Sequence, residues 1–295
     1  MKITITGSLG NISRALTKQL VKQGHEVRVI SSNAARASDI QQLRATPLIG
    51  SVEDYDFVKG AFAGSDAVYC MIPPNFSTPD YNTFTSNVGR NYANAIKENS
   101  IKYAVNLSSS ASPLAGTSPL ANYQNLEIWL NELPTVNVLH LRPGGFYSNF
   151  LGSINLIKYQ GIIGNNFSKE SNLVMSHPED IAEAAATALS SLYFTGKNIL
   201  YIVSDKKNGS EIAMTLGTAI GKPDLTWLQF PDEQLLQVLI QNGFSPEAAQ
   251  HYIVDMGIAI REGLLEKQYE NNEHPVFGKR RFTEFAAVFA KAYAK

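Results

Sequence analysis

Cysteine is nearly absent from this chain of 295 residues, which contains only Cys70. A single cysteine excludes an internal disulfide and any cluster of metal-bound thiolates. Cys70 lies in the apolar run 67–71, which is typical of a buried strand, so we expect an inert core thiol rather than a nucleophile. The five histidines are scattered without the close pairing of a zinc site, and we therefore predict no bound metal.

An excess of charge of either sign is also missing, because 25 Lys and Arg residues are balanced by 26 Asp and Glu residues. The net charge of −1 and the isoelectric point near 6.5 do not indicate the excess of positive charge that binding to nucleic acid or to an anionic membrane requires. No apolar run approaches membrane-spanning length, and no signal peptide precedes the first predicted strand. These features predict a cytoplasmic protein whose partner is a small molecule.

The most informative pattern that is present occupies the start of the chain. Ile3 and Ile5 alternate with threonines in a short β-branched strand, which leads into Gly7-x-x-Gly10-x-x-Ser13 and a helical pattern of leucines. A strand, a glycine turn and a helix start in this order form a dinucleotide site, because the free N–H groups of the helix start point at the pyrophosphate. The residues expected at the pyrophosphate are Gly7, Leu9, Gly10, Asn11 and Ile12. A plain strand–turn–helix is the alternative.

The alternation of strand and helix continues through the first half of the chain. Further strands are predicted at 26–30, 46–49, 67–72, 102–107 and 136–141, with helices at about 55–62, 82–99 and 123–133. Strands rich in valine and isoleucine that alternate with helices predict an α/β fold with a doubly wound parallel sheet of the Rossmann type. A ligand cleft is then expected at the carboxyl ends of the strands.

The second half of the chain has a different rhythm. Helical patterns occur at 178–192, 210–220, 232–242, 246–265 and 283–293, and one further strand is predicted at 198–203. We expect residues 1–150 to form the NAD(P)-binding Rossmann domain and residues 151–295 to form a smaller, mainly helical substrate-binding lobe. A segment near 176–203 is expected to return to the Rossmann domain.

The residues after the second predicted strand indicate which dinucleotide binds. NAD-selective sites have a carboxylate there, which binds the ribose hydroxyls. This chain instead has Ser31, Ser32 and Asn33, followed by Arg36, so hydroxyls, an amide and a guanidinium are available to bind a 2′-phosphate. We therefore favour NADP(H) over NAD(H). The alternative is that Arg36 is only a solvated residue at a helix start.

Several further segments indicate a known family by their order and spacing. They are ITGSLGNI at 5–12, AGSDAV at 63–68, MIPP at 71–74, LSSS at 107–110, LRPGGFYSNF at 141–150 and HPEDIA at 177–182. Over residues 1 to about 190 the chain resembles the NmrA-like branch of atypical short-chain dehydrogenases. That branch includes NADPH-dependent quinone reductases and redox-sensing regulators.

The resemblance implies roles for the matching positions. The backbone of Ile72, Pro73 and Pro74 would run alongside the cofactor's ribose and nicotinamide. One side of the nicotinamide would be lined by Pro143, Gly144, Gly145 and Phe146. Ser108 and Ser109 would end the fifth strand at the cleft, where a hydroxyl contacts the substrate or the nicotinamide ribose. The alternatives are a polar loop for the serines, a turn for Pro-Gly-Gly, and a capping or anchoring role for Asp180.

One motif of the wider superfamily is missing. Its reductases use Tyr-x-x-x-Lys, in which the lysine lowers the pKa of a tyrosine that donates a proton. This chain has no lysine between Lys102 and Lys158, and we interpret Tyr55-x-x-x-Lys59 and Tyr193-x-x-x-Lys197 as chance matches on the wrong elements. The predicted helix at 123–133 carries Tyr123 and Glu127 instead. Tyr123 is therefore a candidate for contacting the nicotinamide ribose or protonating a substrate, or else an aromatic that packs under the cofactor.

The missing lysine argues against sugar epimerisation and alcohol dehydrogenation, which need a strong acid–base pair. A quinone accepts hydride readily, so positioning and hydrogen-bond donors suffice. We predict an NADPH-dependent oxidoreductase that transfers hydride to a quinone or similar small electrophile, with Tyr123 or Ser109 stabilising the developing oxyanion. Aromatic candidates for the acceptor pocket are Phe76, Phe146, Tyr147 and Phe150, with core packing as the alternative.

Two other functions remain open at this point. A non-catalytic NAD(P)-sensing regulator of the NmrA type, acting through a protein partner, is favoured by the missing tyrosine–lysine pair. Reduction of a carbonyl or flavonoid-type compound needs a proton donor that the sequence does not clearly supply. A homodimer or a regulatory protein partner is compatible with either function.

Overall fold

The computed structural model describes residues 1–272 and 276–295, so His274, one of the five histidines considered above, lies outside the described residues. The strands are β1 Lys2–Ile5, β2 Glu26–Ser31, β3 Thr46–Ile49, β4 Ala67–Cys70, β5 Tyr103–Leu107, β6 Asn137–Pro143, β7 Gly145–Phe146, β8 Ile162–Asn165, β9 Asn172–Ser176, β10 Lys197–Val203, β11 Asp205–Asn208, β12 Thr226–Gln229 and β13 Val276–Phe277.

Helices connect these strands and make up most of the second half of the chain. They are α1 Ser13–Lys22, α2 Ala37–Gln42, α3 Tyr55–Phe62, α4 Tyr81–Glu98, α5 Glu127–Asn131, α6 Ile154–Gln160, α7 Pro178–Ser191, α8 Gly209–Ala219, α9 Asp232–Gln241, α10 Pro246–Ala248, α11 Asp255–Arg261, α12 Leu264–Glu270 and α13 Phe282–Tyr293. A π-helical turn, Ala249–Val254, joins α10 to α11. No helix among the described residues is both long and apolar enough to cross a membrane.

Eight strands form one parallel sheet in the order β3-β2-β1-β4-β5-β6-β10-β13. The strand order reverses between β1 and β4, and doubly wound sheets bind their ligands outside the carboxyl ends of the strands at this point. The fold is therefore the Rossmann-type doubly wound sheet that the sequence predicted. Gly7 follows β1 at the reversal.

The core beneath the candidate site combines residues from both halves of the chain. The alternation in β1 makes Ile3 and Ile5 fully buried, and the apolar face of α1 buries Leu16 and Leu20 against the same cluster. Helix α7 packs beside α1, and Ile181 belongs to this cluster. Strand β10 pairs with β6 in the same sheet. Burial of these side chains fixes the height and direction of α1 relative to β1.

Residues 145–229 also build two small sheets that the hydrophobic pattern did not predict. Strands β7, β9 and β11 form one, and β8 and β12 form the other. A separate apolar cluster lies against them and includes the buried Tyr147, Phe167, Trp227 and Phe282. The sequence of β11, Asp-Lys-Lys-Asn, has no strand-like periodicity. It forms a strand because it pairs with β9, and this tertiary contact could not be predicted from the local sequence.

Two predicted helices differ from the structure, while the other predicted elements agree with the observed bounds to within two residues at each end. The helix predicted at 123–133 begins only at Glu127, because the Asn125 side chain accepts the Glu127 N–H and starts the helix there. Tyr123 therefore lies on the preceding loop, which corrects its predicted place on a helix. The helix predicted at 246–265 is interrupted by the π-helical turn and by Gly263, whose φ is +70°.

Candidate dinucleotide site

The glycine loop after β1 has the close approach that the sequence pattern predicts. Gly7 has φ +87°, and a Cβ there would lie 2.8 Å from both the Met71 side chain and Ser13 Oγ. Ser13 Oγ donates to the Thr6 carbonyl at 3.0 Å, which ties the first residue of α1 to the end of β1. Glycine suits position 7 because its φ is positive and because a side chain there would have to displace the side chains of Met71 and Ser13.

The start of α1 suits an anion. The first turn of α1 contains no acidic residue, and no side chain of the described residues caps it, so its backbone N–H groups remain available to an anion. Leu9 and Ile12 are buried in the sheet core, which leaves their backbone to contact a ligand. Gly10 and Asn11 are exposed, and Asn11 Nδ2 donates to Ser148 Oγ at 3.2 Å. These observations fit a pyrophosphate held by backbone N–H groups.

Of the residues predicted to bind the 2′-phosphate in the loop after β2, Ser31 and Asn33 already form hydrogen bonds within the protein. Ser31 is buried, and its Oγ accepts from Ser8 Oγ at 2.9 Å and from the Asn33 N–H at 3.2 Å. Asn33 Oδ1 accepts the Ala35 N–H at 2.9 Å and starts the following turn. Ser31 and Asn33 therefore shape the loop, and both are already hydrogen-bonded.

Arg36 is free enough to bind a phosphate. Its side chain is about half exposed and lies 3.8 Å from Asp39, an acidic neighbour that the sequence reasoning did not consider. Ion pairs this exposed are weak, so a phosphate dianion would compete effectively for the guanidinium. Ser32 is exposed beside it.

The segment after β4 is tied to the end of β1. Thr6 Oγ1 accepts the Met71 N–H at 2.7 Å and donates to the Met71 carbonyl at 3.2 Å, and the Tyr92 hydroxyl donates to that carbonyl at 3.0 Å. The strand ends at Cys70, so Ile72 and the two prolines after it run on as extended chain beyond the sheet. Ile72 and Pro73 are half-buried and Pro74 is exposed. This places residues 71–74 beside the glycine loop.

Ser108 is already engaged by a buried ion pair. Its hydroxyl donates to Glu127 Oε1 and lies 2.6 Å from Ser112 Oγ. Glu127 is buried and accepts from Arg142 Nε at 2.9 Å and from Nη2 at 2.7 Å, while Arg142 Nη1 donates to the Tyr201 hydroxyl at 3.1 Å. Burial raises the pKa of Glu127, but the hydrogen bonds from Arg142 and Ser108 outweigh it and lower that pKa overall. Ser108 is thus part of the wall of the site.

Ser109 and Tyr123 form the remaining pair of hydroxyls. Ser109 Oγ accepts the Ala111 N–H at 3.1 Å, and both Ser109 and Tyr123 are half-buried. Burial raises the pKa of Tyr123, and the neighbouring Ser109 hydroxyl opposes that effect. A phenol is protonated at neutral pH with or without this shift and can donate a hydrogen bond, while the raised pKa makes it a weaker proton donor.

The segment after β6 is shaped by its neighbours. A Cβ on Gly144 would lie 2.1 Å from the Val174 carbonyl oxygen, and the Gly144 N–H donates to Ser176 Oγ at 2.9 Å. Gly145 and Phe146 form β7, which pairs with β9. The Pro143 carbonyl accepts the Ser110 N–H at 2.9 Å. Because β4, β5 and β6 are adjacent, segments 71–74, 108–109 and 143–146 line one edge of the sheet.

Several side chains considered from sequence have structural partners. Lys59 forms an ion pair with Glu98, and Lys197 Nζ donates to the carbonyls of Leu130, Leu133 and Val136, so both tyrosine–lysine spacings are accounted for by other contacts. Asp180 is buried and accepts from Ser204 Oγ at 2.6 Å, an anchoring contact.

Two of the aromatic candidates, Tyr147 and Phe150, pack in the apolar cluster that contains Trp227 and Phe282. Tyr147 is fully buried, and the Phe150 ring lies 5.4 Å from the Phe282 ring. Both therefore match the core-packing alternative. Phe76 instead stacks between Tyr81 and Phe244, with ring centroids 5.4 and 5.1 Å away.

Two features of the site were missed by sequence reasoning. Arg142 was quoted only as part of a motif, although a charged residue inside an apolar strand signals a buried partner. The second is Tyr252, whose ring lies 5.2 Å from that of Tyr123. No signal in the sequence could have found it, because the π-helical turn that carries it has no sequence pattern of its own.

This geometry defines a dinucleotide-binding protein with a Rossmann-type sheet. A family model described as NAD(P)H-binding matches residues 7–133, from the glycine loop to just beyond α5, which supports binding of NAD(P)H by this part of the chain. The match agrees with the NAD(P)H-binding part of the resemblance described from the sequence.

Solved structures share the fold over nearly the whole chain. The NADPH-dependent quinone oxidoreductase QOR2 of Escherichia coli, complexed with NADPH, is 19% identical with a TM-score of 0.77, covering 97% of this chain and 99% of that chain. The triphenylmethane reductase of Citrobacter sp., complexed with NADP(H), is 19% identical with a TM-score of 0.76, covering 98% of this chain and 99% of that chain.

Curated relatives match over a much shorter stretch, and this chain covers less than a quarter of the length of each of them. One is the 4-hydroxy-2-methyl-3-oxo-4-farnesyl-3,4-dihydroquinoline-1-oxide ketoreductase of Stigmatella aurantiaca. It is 32% identical over 69 residues, which are 23% of this chain and 21% of that protein.

Proposed function

We propose that the protein is an NADPH-dependent oxidoreductase that reduces a quinone or a similar small electrophile. The observation that carries the proposal is the glycine turn after β1, where Gly7 has φ +87° and a Cβ would lie 2.8 Å from the side chains of Met71 and Ser13. The NAD(P)H-binding match to residues 7–133 and the two NADPH-dependent or NADP(H)-bound structural neighbours support it. A cytoplasmic location and a small-molecule acceptor accompany this proposal.

The residues that would hold the cofactor lie at the carboxyl ends of β1, β2, β4 and β6. Gly7, Gly10 and the start of α1 would bind the pyrophosphate, Arg36 the 2′-phosphate, and segments 71–74 and 143–146 would flank the nicotinamide ring. When bound, NADPH supplies a hydride to the acceptor. The chain contributes position, exclusion of water and hydrogen bonds to the acceptor oxygen.

The Tyr123 phenol and the Ser109 hydroxyl are the groups proposed to stabilise that oxygen. Complete reduction of a quinone to a hydroquinone takes one hydride and one proton. A neutral phenol can provide the proton or a hydrogen bond to the acceptor oxygen. The absence of a neighbouring lysine suits an electron-poor acceptor, since the developing negative charge is delocalised over the quinone ring.

Replacement of Tyr123 by phenylalanine tests the proton-donor role. We expect kcat for quinone reduction to fall about 100-fold, because one oxyanion donor is lost, while the Kd for NADPH stays within about twofold. Stopped-flow NADPH oxidation and fluorescence titration measure the two quantities. Tyr159→Phe, on a residue that is 84% exposed, is the matched control. Unchanged turnover in Tyr123→Phe would remove the catalytic role of this tyrosine.

Replacement of Arg36 by alanine tests the 2′-phosphate contact. Loss of one charge-assisted hydrogen bond predicts a Kd for NADPH raised about 10- to 100-fold and a Kd for NADH that does not change. Isothermal titration with both cofactors gives the ratio. Lys22→Ala removes the same charge at the exposed end of α1 and should alter neither Kd. Equal losses for NADPH and NADH would contradict the assignment of Arg36.

A second candidate function is a non-catalytic NAD(P)-sensing regulator that acts through a protein partner or as a homodimer. The observation that favours it is the engagement of Ser108 by Glu127, which leaves Ser109 and Tyr123 as the hydroxyls proposed for chemistry. A sensor would bind oxidised cofactor as tightly as, or more tightly than, the reduced form. It would show no turnover with any quinone.

A further inference from the structure

The loop that carries Tyr123 is held from outside the Rossmann sheet. Residues 121–126 precede α5 and contain no helix or strand. Tyr123 is the first of a row of rings that continues through Tyr252, Tyr81 and Phe76 to Phe244, with successive centroid distances of 5.2, 4.4, 5.4 and 5.1 Å. The row therefore connects the candidate proton donor to the chain that follows β4.

Tyr252 makes the contact that fixes the loop. Its hydroxyl donates to the Gln124 carbonyl at 3.0 Å and accepts the Gln124 N–H at 3.2 Å. A single phenol thus satisfies both backbone groups of the residue next to Tyr123. The Tyr252 ring meets the Tyr81 ring edge-on, so the phenol is held on one side by a buried aromatic of α4.

The segment that carries Tyr252 is itself anchored to the cofactor side of the site. Glu247 accepts the Tyr81 N–H at the start of α4 and also Asn82 Nδ2, at 2.8 Å. The Ser245 N–H donates to the Phe76 carbonyl at 2.7 Å. The π-helical turn follows directly, and turns of this kind are frequent at functional sites because they move side chains out of the α-helical register.

We propose that Tyr252 is a positioning residue, which holds the Tyr123 loop in its working geometry over the acceptor. The segment 244–255 thereby makes the second half of the chain a required part of the site. The effect on kcat rests on the proposed oxidoreductase function, while the hydrogen bonds by which Tyr252 holds the Tyr123 loop do not depend on the reaction.

Tyr252→Phe tests this inference, because it keeps the ring and removes both hydrogen bonds to Gln124. Tyr269→Phe is the matched control, since the Tyr269 hydroxyl is buried and has no hydrogen-bond partner among the described residues. Both variants are studied with NADPH bound. Hydrogen exchange of peptides covering 118–130 reports the position of the loop, and steady-state kinetics with 1,4-benzoquinone report its use.

In Tyr252→Phe we expect hydrogen exchange in 118–130 to rise about tenfold, while exchange at β1 and the glycine loop stays constant. We expect kcat to fall about tenfold, while the KM for NADPH stays within about twofold. Combined with Tyr123→Phe, the further loss of kcat should be small, because the donor being positioned is gone. Tyr269→Phe should change neither readout.

Unchanged exchange in 118–130 overturns the inference, whatever the activity. Raised exchange with unchanged kcat also overturns it, because the loop would then be held for stability alone. If the wild-type protein reduces no quinone, the oxidoreductase proposal fails separately, and the exchange of residues 118–130 alone decides whether Tyr252 positions the Tyr123 loop.

Discussion

Replacement of Arg142 by methionine is expected to lower the free energy of unfolding by about 3–5 kcal/mol. The substitution leaves Glu127 buried with no compensating cation, although Glu127 is 8% exposed and takes two hydrogen bonds from the guanidinium in the wild type. Without Arg142 the pKa of Glu127 rises, because burial is then opposed only by weaker partners. Urea denaturation at pH 7 measures the loss.

The double variant Glu127→Met/Arg142→Met separates a missing charge partner from a general packing defect. Removing both charges leaves no buried ion, so we expect most of the lost stability to return. Lys59→Met, which breaks an exposed ion pair with Glu98, should leave the denaturation midpoint almost unchanged. A double variant as unstable as Arg142→Met would show that the ion pair is not what makes the single substitution costly.

The second large effect concerns His140, which is buried in β6. Its Nδ1 lies 3.0 Å from Asn106 Nδ2 and its Nε2 lies 2.9 Å from Asn131 Oδ1, an arrangement that suits a neutral ring. Burial lowers the pKa of His140 to about 4, from the ordinary value of 6.5. Between these two pH values the unfolded chain binds a proton that the folded chain does not.

The contribution of neutral His140 to the free energy of unfolding is therefore fully present above pH 6.5. It is lost as the pH falls towards 4, and the total loss is about 3 kcal/mol. Subtracting the unfolding free energies of His140→Gln from those of the wild type, measured from pH 7.5 to pH 4, isolates the contribution of the histidine. A difference that does not change with pH would mean that His140 has the same pKa in the folded and unfolded protein, which would contradict the effect of burial.

The parts of the fold that could be predicted from sequence are those set by local pattern. Alternating isoleucines predict β1, Gly7 marks a turn that only glycine can make, and spaced leucines predict α1. Because parallel sheets bring the carboxyl ends of neighbouring strands to one edge, the grouping of segments 71–74, 108–109 and 143–146 also followed from strand order alone.

What could not be predicted depends on contacts between residues far apart in the chain. Helix α5 starts at Glu127 because the Asn125 side chain accepts the Glu127 N–H. Nothing in the periodicity of 123–133 distinguishes this start from one at residue 123. The Glu127–Arg142 pair joins residues on different elements, and its charges alone do not say that they meet. Tyr252 reaches Gln124 across 128 residues, so only the packed structure places it beside Tyr123.

The central claim is tested most directly by NADPH oxidation, followed at the nicotinamide absorbance, with 1,4-benzoquinone as acceptor and NADH run in parallel. We predict turnover that is faster with NADPH than with NADH, and hydroquinone formed in equal amount to the NADPH consumed. Tight binding of the cofactor with no oxidation across several quinones would contradict the oxidoreductase and would favour the sensor.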